Sequence, residues 1–356
     1  MRVLVTGGLG FVGSVVARQL LEQGHEVDVL TSSGPTDPGL GHFRAVRAHE
    51  RDPLADPDVA SAQSAGAEQQ RALVAPRAGL VRADLRDRAA IGAVVDAGRY
   101  QGVCHLAGLA RARDSVRDPI RYFDVNVTGT LNLLHALDQC AGAEAVRLVF
   151  SSTGAVYGLR EGTFIEADPT QPANPYGTSK LAAELVIGHQ AATGRLAAIS
   201  LRCFNIAGAG PGLGADRDLT RIIPKTLAVA SGRADRLQIN GDGSAVREYT
   251  HVLDVAAAIS LALNAAAPST HRVYNVGSGQ GVSLAELLAQ ARQVTGRPIP
   301  ADHRPATPEP RILMADSSRI RRELGWRPAH SSLDEILRSG WSAELSTSGS
   351  PSLPSS

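Results

Sequence analysis

A glycine-rich turn set between a short apolar strand and a helix constrains this chain more than any other feature. Arg2 to Thr6 reads as a strand, Gly7-Gly-Leu-Gly10-Phe-Val-Gly13 follows at once, and a helical pattern runs on to Gln23. A tight turn, a close approach of backbone to a pyrophosphate and close packing of helix on strand each require a residue with no side chain, while the first N–H groups of a helix attract phosphate. With 36 glycines in 356 residues such a spacing arises easily by chance. Its place after a strand and before a helix is what points to a dinucleotide.

The strand-then-helix rhythm continues down the chain. β-rich runs at Glu26 to Leu30, Leu80 to Arg82, Val103 to Leu106, Arg147 to Ser151, Ala197 to Phe204 and Arg272 to Val276 alternate with helical patterns near Ala89 to Ala97, Ile120 to Gln139, Tyr176 to Ala192 and Asp254 to Ala266. This alternation predicts an α/β fold, a doubly wound parallel (Rossmann) sheet covered by helices on both faces. The length exceeds what one hydrophobic core usually serves. We therefore expect a dinucleotide-binding unit over 1–203 with a returning segment at 248–277, and a smaller C-terminal substrate-binding lobe over 204–247 and 278–345. Pro35 to Gly79, rich in Pro, Gly, Ala, Ser and charge, reads as a partly disordered insertion with a short helix from Ala60 to Leu73. Ser346 to Ser356 reads as a disordered tail. Ser283-Leu-Ala-Glu286 is a capping-box pattern, which assigns its serine and glutamate to a helix start instead of to chemistry.

Composition narrows the partners. A formal net charge of +1, with Arg mixed among Asp and Glu, provides no basic stripe for nucleic acid or for an anionic membrane. Cys104, Cys140 and Cys203 are odd in number and lack metal-ligand spacing, so neither a disulfide framework nor a metal site is expected, and a reducing cytoplasm fits. No apolar stretch reaches about 18 residues, so no membrane span is expected. A small-molecule substrate is the default.

Tyr176-Gly-Thr-Ser-Lys180 carries the most chemical information. With six tyrosines and two lysines in the chain, a Tyr-x-x-x-Lys coincidence is expected only about 0.03 times. The i,i+4 spacing puts both side chains on one helical face, and Pro175 suits the first turn of that helix. An ammonium near a phenol favours the phenolate, as a general base needs; a surface tyrosine with a solvated lysine is the plain alternative. Ser151-Ser-Thr153 ends the fifth strand, where ligands bind in a doubly wound sheet, and a hydroxyl there can hold a substrate oxygen against Tyr176.

Taken together, Val-Thr-Gly-Gly-x-Gly, His105-Leu-Ala-Gly108, Asn126-Val-Thr-Gly-Thr130, Ser151-Ser-Thr with Val156-Tyr-Gly158, Pro175-Tyr-Gly-x-Ser-Lys180, Arg202-x-Phe-Asn205 and Arg247-Glu-Tyr-x-His251 give the chain a family likeness. It resembles the extended short-chain dehydrogenase/reductases that act on nucleotide sugars, most of all the UDP-glucose 4-epimerases, from Met1 to about Trp341 outside the insertion. The resemblance implies Tyr176 as catalytic base, Lys180 on the nicotinamide ribose and Thr153 completing the triad. It implies that Gly7, Gly10, Phe11, Val12, Gly13, Thr31, Asp84, Leu85, Leu106, Ala107, Gly108, Asn126 and Ser151, with Tyr176 and Lys180, contact the cofactor. Asn205 and Arg247 match residues that contact the nucleotide-sugar and its diphosphate. A homodimer is implied through helices resembling Ile120 to Gln139 and Tyr176 to Ala192.

Three departures from the pattern stand out. Thr31-Ser32-Ser33 replaces the usual acid on the adenosine ribose, and Arg44, Arg47 and Arg51 lie in the insertion; NAD is the expected cofactor, with NADP the alternative. Arg304-Pro-Ala-Thr-Pro-Glu309 stands where an Arg-x-Gly-Asp is usual, so Arg304 and Glu309 are the substitutes to look for. Asn240 stands where an aromatic meets uracil. The related branches that dehydrate or decarboxylate carry an acid or base directly after or close to the strand-end threonine; Gly154-Ala155 offers none after Thr153, so the resemblance implies oxidation followed by reduction as the simplest remaining chemistry. The expected activity is inversion of C4 of a nucleotide-diphosphate sugar through a 4-keto intermediate; a ketoreductase or dehydrogenase on an activated sugar or another carbonyl is the alternative.

Overall fold

Val3, Leu4 and Val5 are fully buried because their strand, Arg2–Thr6, has a paired neighbour on each edge and an apolar layer on each face. The computed structural model describes residues 1–32, 77–140, 142, 144–306 and 309–347. Among them, strands pair in parallel in the order His271–Val276, Leu196–Cys203, Val146–Thr153, Gly102–His105, Arg2–Thr6, Glu26–Thr31, Gly79–Arg82. Strand side chains alternate between faces. Accordingly Val3 and Val5 join Val15, Leu20 and Ile259 in one core layer, while Leu4 joins Ile91, Val94 and Leu133 in the other. The chain leaves the central strand toward Glu26–Thr31 and returns later to its opposite edge at Gly102–His105. That reversal opens a crevice beyond the carboxyl ends of these strands, where a doubly wound sheet holds its ligand.

All the expected strands form, close to their expected limits. Gly79 belongs to a strand and not to the insertion, since it pairs with Asp28. The helix Pro175–Ala192 starts where Asn174 Oδ1 accepts the N–H of Gly177 at 2.9 Å, with proline in the first turn as anticipated. The capping box of Ser283 and Glu286 is also formed. The expected single helix from Ile120 to Gln139 is broken: Pro119–Phe123 and Gly129–Cys140 are α-helical, and Asp124–Thr128 between them is a π turn. Helix extends through Ser346 to Thr347, with the Ser346 hydroxyl donating to Ser342 O at 2.9 Å, so the tail begins later than expected. The helix anticipated over Ala60 to Leu73, most of the insertion and the rest of the tail lie outside the described residues.

A second group of elements was not visible in the sequence. Short strands Gly162–Phe164, Val246–Glu248, Gly281–Ser283 and Ile312–Ala315 form a separate sheet. Ile223, Leu227, Ile239, Leu287 and Leu337 form a core of their own beside it. Among the described residues, no helix is long and apolar enough to cross a membrane.

Candidate active site

The glycine turn is built for close backbone approach. Gly7 has φ of +68°, and a Cβ on it would lie 2.9 Å from Ala107 Cα, so the turn rests directly on the segment after Gly102–His105. A Cβ on Gly13 would lie 2.2 Å from Gly7 O, which only the bare backbone avoids. Gly10 caps the helix Phe11–Glu22 without a side-chain hydrogen bond, and no acid sits in its first turn. Free N–H groups and the positive helix end are therefore left for a phosphate. Gly10 is exposed, with Phe11 and Val12 half-buried behind it. These features suit a dinucleotide.

The neighbouring segment is held by a relay of hydroxyls. The Thr130 hydroxyl donates to Asn126 O at 2.6 Å, so His105 Nε2, 2.9 Å away, donates to Thr130. His105 Nδ1 then accepts from Thr6 Oγ1 at 2.8 Å, which in turn accepts the N–H groups of Leu106 and Ala107 at 3.2 and 3.1 Å. A neutral ring is required. Burial, with a lesser push from the Lys180 charge, lowers the His105 pKa to about 3. Asn126, in the π turn, accepts from Leu109 N at 2.8 Å and donates to Leu109 O at 3.1 Å and Ser179 Oγ at 2.9 Å. It thereby ties the Gly108 loop to the helix carrying Tyr176 and Lys180, which makes it a positioning residue.

Tyr176 is half-buried, and Lys180 and Thr153 are buried. Burial raises the phenol's pKa, while a hydrogen bond from Thr153 and the charge of Arg221 pull it down. The ammonium of Lys180, from which the spacing also leads us to expect a pull, lies 4.1 Å from the centre of the Phe150 ring, and burial lowers its pKa to about 8. A Cβ on Gly108 would lie 3.8 Å from Lys180 Nζ, so the Gly108 loop passes directly beside the ammonium. Ser151 is half-buried at the strand end, while Ser152 turns inward to donate to Glu184 Oε2 at 2.6 Å.

The remaining expected residues divide. Asp84 is engaged by Arg86 at 2.7 Å, and Leu85 is buried beneath Gly129. Thr31 ends its strand directly opposite Arg82, which is exposed. Strand pairing thus sets Arg82 beside Thr31, while Arg44, Arg47 and Arg51 lie outside the described residues. Asn205 is exposed and donates to Glu248 O at 2.9 Å. Arg247 and Glu309 meet at 3.6 Å, whereas Arg304 is exposed on the strand beside Asn240. Among the described residues, no group of His, Cys, Asp and Glu could hold a metal ion.

Comparison with known proteins agrees with this arrangement. Residues 3–277 match the NAD dependent epimerase/dehydratase family. The chain is 37% identical over 350 residues to the UDP-glucose 4-epimerase of Corynebacterium glutamicum, covering 96% of this chain and 95% of that one. It is 38% identical over 352 residues to the UDP-glucose 4-epimerase of Streptomyces lividans, covering 96% and 95%. A crystal structure of the Stenotrophomonas maltophila UDP-glucose 4-epimerase, with bound NAD and a formylated UDP-arabinopyranose, superposes with a TM-score of 0.80 at 32% identity, covering 98% of this chain and 99% of that one. The Bifidobacterium longum UDP-glucose 4-epimerase, in complex with NAD+ and UDP, does so at 0.80 and 28%, with 98% and 99% covered. This chain belongs to the NAD dependent epimerase/dehydratase family.

Proposed function

We propose that Tyr176, Thr153 and Lys180 carry out the 4-epimerisation of a nucleotide-diphosphate sugar in this NAD-dependent enzyme. NAD, when bound, supplies the acceptor and donor of hydride. Tyr176 takes the proton of the sugar 4-hydroxyl and returns it when the centre has inverted. Thr153 holds that oxygen against the phenol. Lys180 donates to the cofactor ribose, for which its buried ammonium is free, since it makes no hydrogen bond among the described residues. Arg247, with Glu309 alongside, holds the diphosphate. What most supports an epimerase over an eliminating enzyme is that Gly154 and Ala155, which follow Thr153, carry no acid or base, and a Cβ on Gly154 would crowd the Phe204 ring at 2.9 Å.

Such an enzyme should interconvert UDP-glucose and UDP-galactose with no build-up of reduced cofactor. Run in heavy water, the product should carry no deuterium at C4, because only the hydroxyl proton passes through Tyr176. Stoichiometric cofactor consumption would identify a ketoreductase, and deuterium at C3 or C5 a different epimerisation.

The same reading includes a homodimer and a cytoplasmic home. Ile120 is 80%, Val116 65% and Leu185 57% exposed, and Phe123, on the helix of Ile120, and Leu131, on Gly129–Cys140, are exposed as well. Apolar side chains grouped on these helices suit a second copy of the chain. Light scattering should return twice the chain mass for the wild type and one chain mass for Ile120→Arg with Leu185→Arg; a monomeric wild type would overturn the dimer. Cys104 and Cys203, both free and buried, fit a reducing compartment.

A further inference from the structure

We propose that Glu248 is a positioning residue for the nucleotide-sugar: its buried carboxylate pins the strand Val246–Glu248 from behind, and so sets Arg247 and Asn205 for the substrate. The inference rests on the substrate roles of Arg247 and Asn205, as read above. Glu248 is fully buried. Its strand lies between Gly281–Ser283, paired antiparallel, and Ile312–Ala315, paired parallel. The carboxylate accepts the N–H of Gly279 through Oε2 at 2.8 Å and the N–H of Ala315 through Oε1. One side chain therefore holds two segments at once: the turn that leaves the central sheet after His271–Val276, and the end of a strand in the second sheet. The turn comes in close to meet it. A Cβ on Gly277 would lie 2.5 Å from both carboxylate oxygens, so only bare backbone fits there. Ser317 fastens the same glycine, its hydroxyl accepting Gly277 N–H at 2.9 Å and donating to Gly277 O at 3.0 Å. Arg321 Nη2 donates to Ser278 O at 2.9 Å.

Successive side chains of a strand point to opposite faces, so Arg247 leaves on the face away from Glu248. There it donates through Nη1 to Val246 O at 2.8 Å and lies 3.6 Å from Glu309. The backbone of Glu248 carries a second link: its carbonyl accepts the Asn205 amide at 2.9 Å, while Asn205 O accepts Thr250 N–H at 2.8 Å. Both proposed substrate contacts are thus referred to one strand of three residues, too short to hold its place by ladder bonds alone. A buried carboxyl is costly to keep. Burial raises this one to about 7, against the pull of the Gly279 and Ala315 N–H groups, the Arg321 charge and the Ser278 hydroxyl. What it provides is a match: a carboxylate only accepts, and its two oxygens meet two N–H donors that an apolar side chain would leave unpaired.

The test measures UDP affinity by calorimetry, with KM and kcat for UDP-galactose, in Glu248→Gln, Gly277→Ala, Arg247→Met and the double variant Glu248→Gln with Arg247→Met. Melting temperature and retained NAD are the folding controls. In Glu248→Gln the amide sets its own N–H against one of the two N–H donors. We expect UDP affinity to fall and KM to rise by about tenfold, as for one buried donor left unpaired, while kcat changes by less than about threefold. Gly277→Ala, which crowds the carboxylate without removing it, should move KM in the same direction. Arg247→Met should weaken UDP binding in the wild type and add little to Glu248→Gln, since an arginine already displaced has less to lose. A merely structural role would lower the melting temperature with KM unmoved, or give additive losses in the double variant, and either result overturns the proposal. Should Glu248→Gln fail to fold, Gly277→Ala with and without Arg247→Met decides by the same criteria. The inference and the reading beneath it fail differently: unchanged UDP affinity in Arg247→Met removes the diphosphate role itself, whereas a weakened Arg247→Met beside an unmoved Glu248→Gln removes only the inference.

Discussion

Tyr176→Phe is expected to lower kcat by about 10²–10⁴-fold, the usual worth of a positioned general base, while fold and bound cofactor persist. The substitution removes one oxygen and little else. The ring keeps its edge-on contact with Tyr122, and the bond from the Ser179 hydroxyl runs to the backbone carbonyl of Tyr176 at 2.8 Å, so both survive. What disappears is the group that Thr153 and Arg221 pull toward the phenolate. Turnover of UDP-galactose, measured beside the NAD released on denaturation, checks both halves. Retention of more than about a tenth of wild-type kcat is too much for loss of the base and would assign the proton transfer elsewhere.

The second large effect is on stability. Behind the site lies a buried polar network: Arg202 and Glu184 are 6% and 3% exposed, and Arg202 Nε bonds Glu184 Oε1 at 3.2 Å. Arg202 Nη1 donates to the Tyr157 hydroxyl at 2.9 Å, and that hydroxyl donates to Asn275 Oδ1 at 2.7 Å. Arg202→Met should cost about 3–5 kcal/mol, because it strands the Glu184 carboxylate with Ser152 as its remaining side-chain donor. Pairing it with Glu184→Leu should recover much of the loss, since a matched apolar pair carries no orphaned charge. Denaturant unfolding of both single variants and the double variant measures the coupling. A loss under about 1 kcal/mol for Arg202→Met would show that Glu184 finds another partner. Because Glu184 follows Lys180 by one helical turn and Ser152 precedes Thr153, the single variant should also lose turnover.

The division between what could be read from residues and what could not follows the range of the interactions. The central strands were legible because a strand covered on both faces must be apolar nearly throughout, as Val146 to Phe150 and Leu196 to Cys203 are. Tyr176 with Lys180, Pro175 in the first helical turn, and the glycines of the first turn are local patterns whose geometry comes from neighbours a few residues away. Family resemblance added the proposed roles of Asn205 and Arg247.

Contacts between distant segments left no such trace. The π turn at Asp124–Thr128 carries Asn126, whose amide reaches Leu109 and Ser179, a demand that no local periodicity displays. Arg82 became the arginine beside Thr31 only through strand register, and Glu309 met Arg247 only when the second sheet assembled. Lys180 was assigned to tune Tyr176 because a helix makes them neighbours. That its ammonium would lie over the Phe150 ring, on another element, was not legible from that spacing. The sequence by itself determined the parallel sheet and the glycine turn and singled out Tyr176 as the proposed base, since each is written in short-range spacing. Only the tertiary structure decided what surrounds Tyr176 and Lys180, with Phe150 under the ammonium and Asn126 bonded to Ser179, because burial and contacts between distant segments depend on distance through space and not on position along the chain.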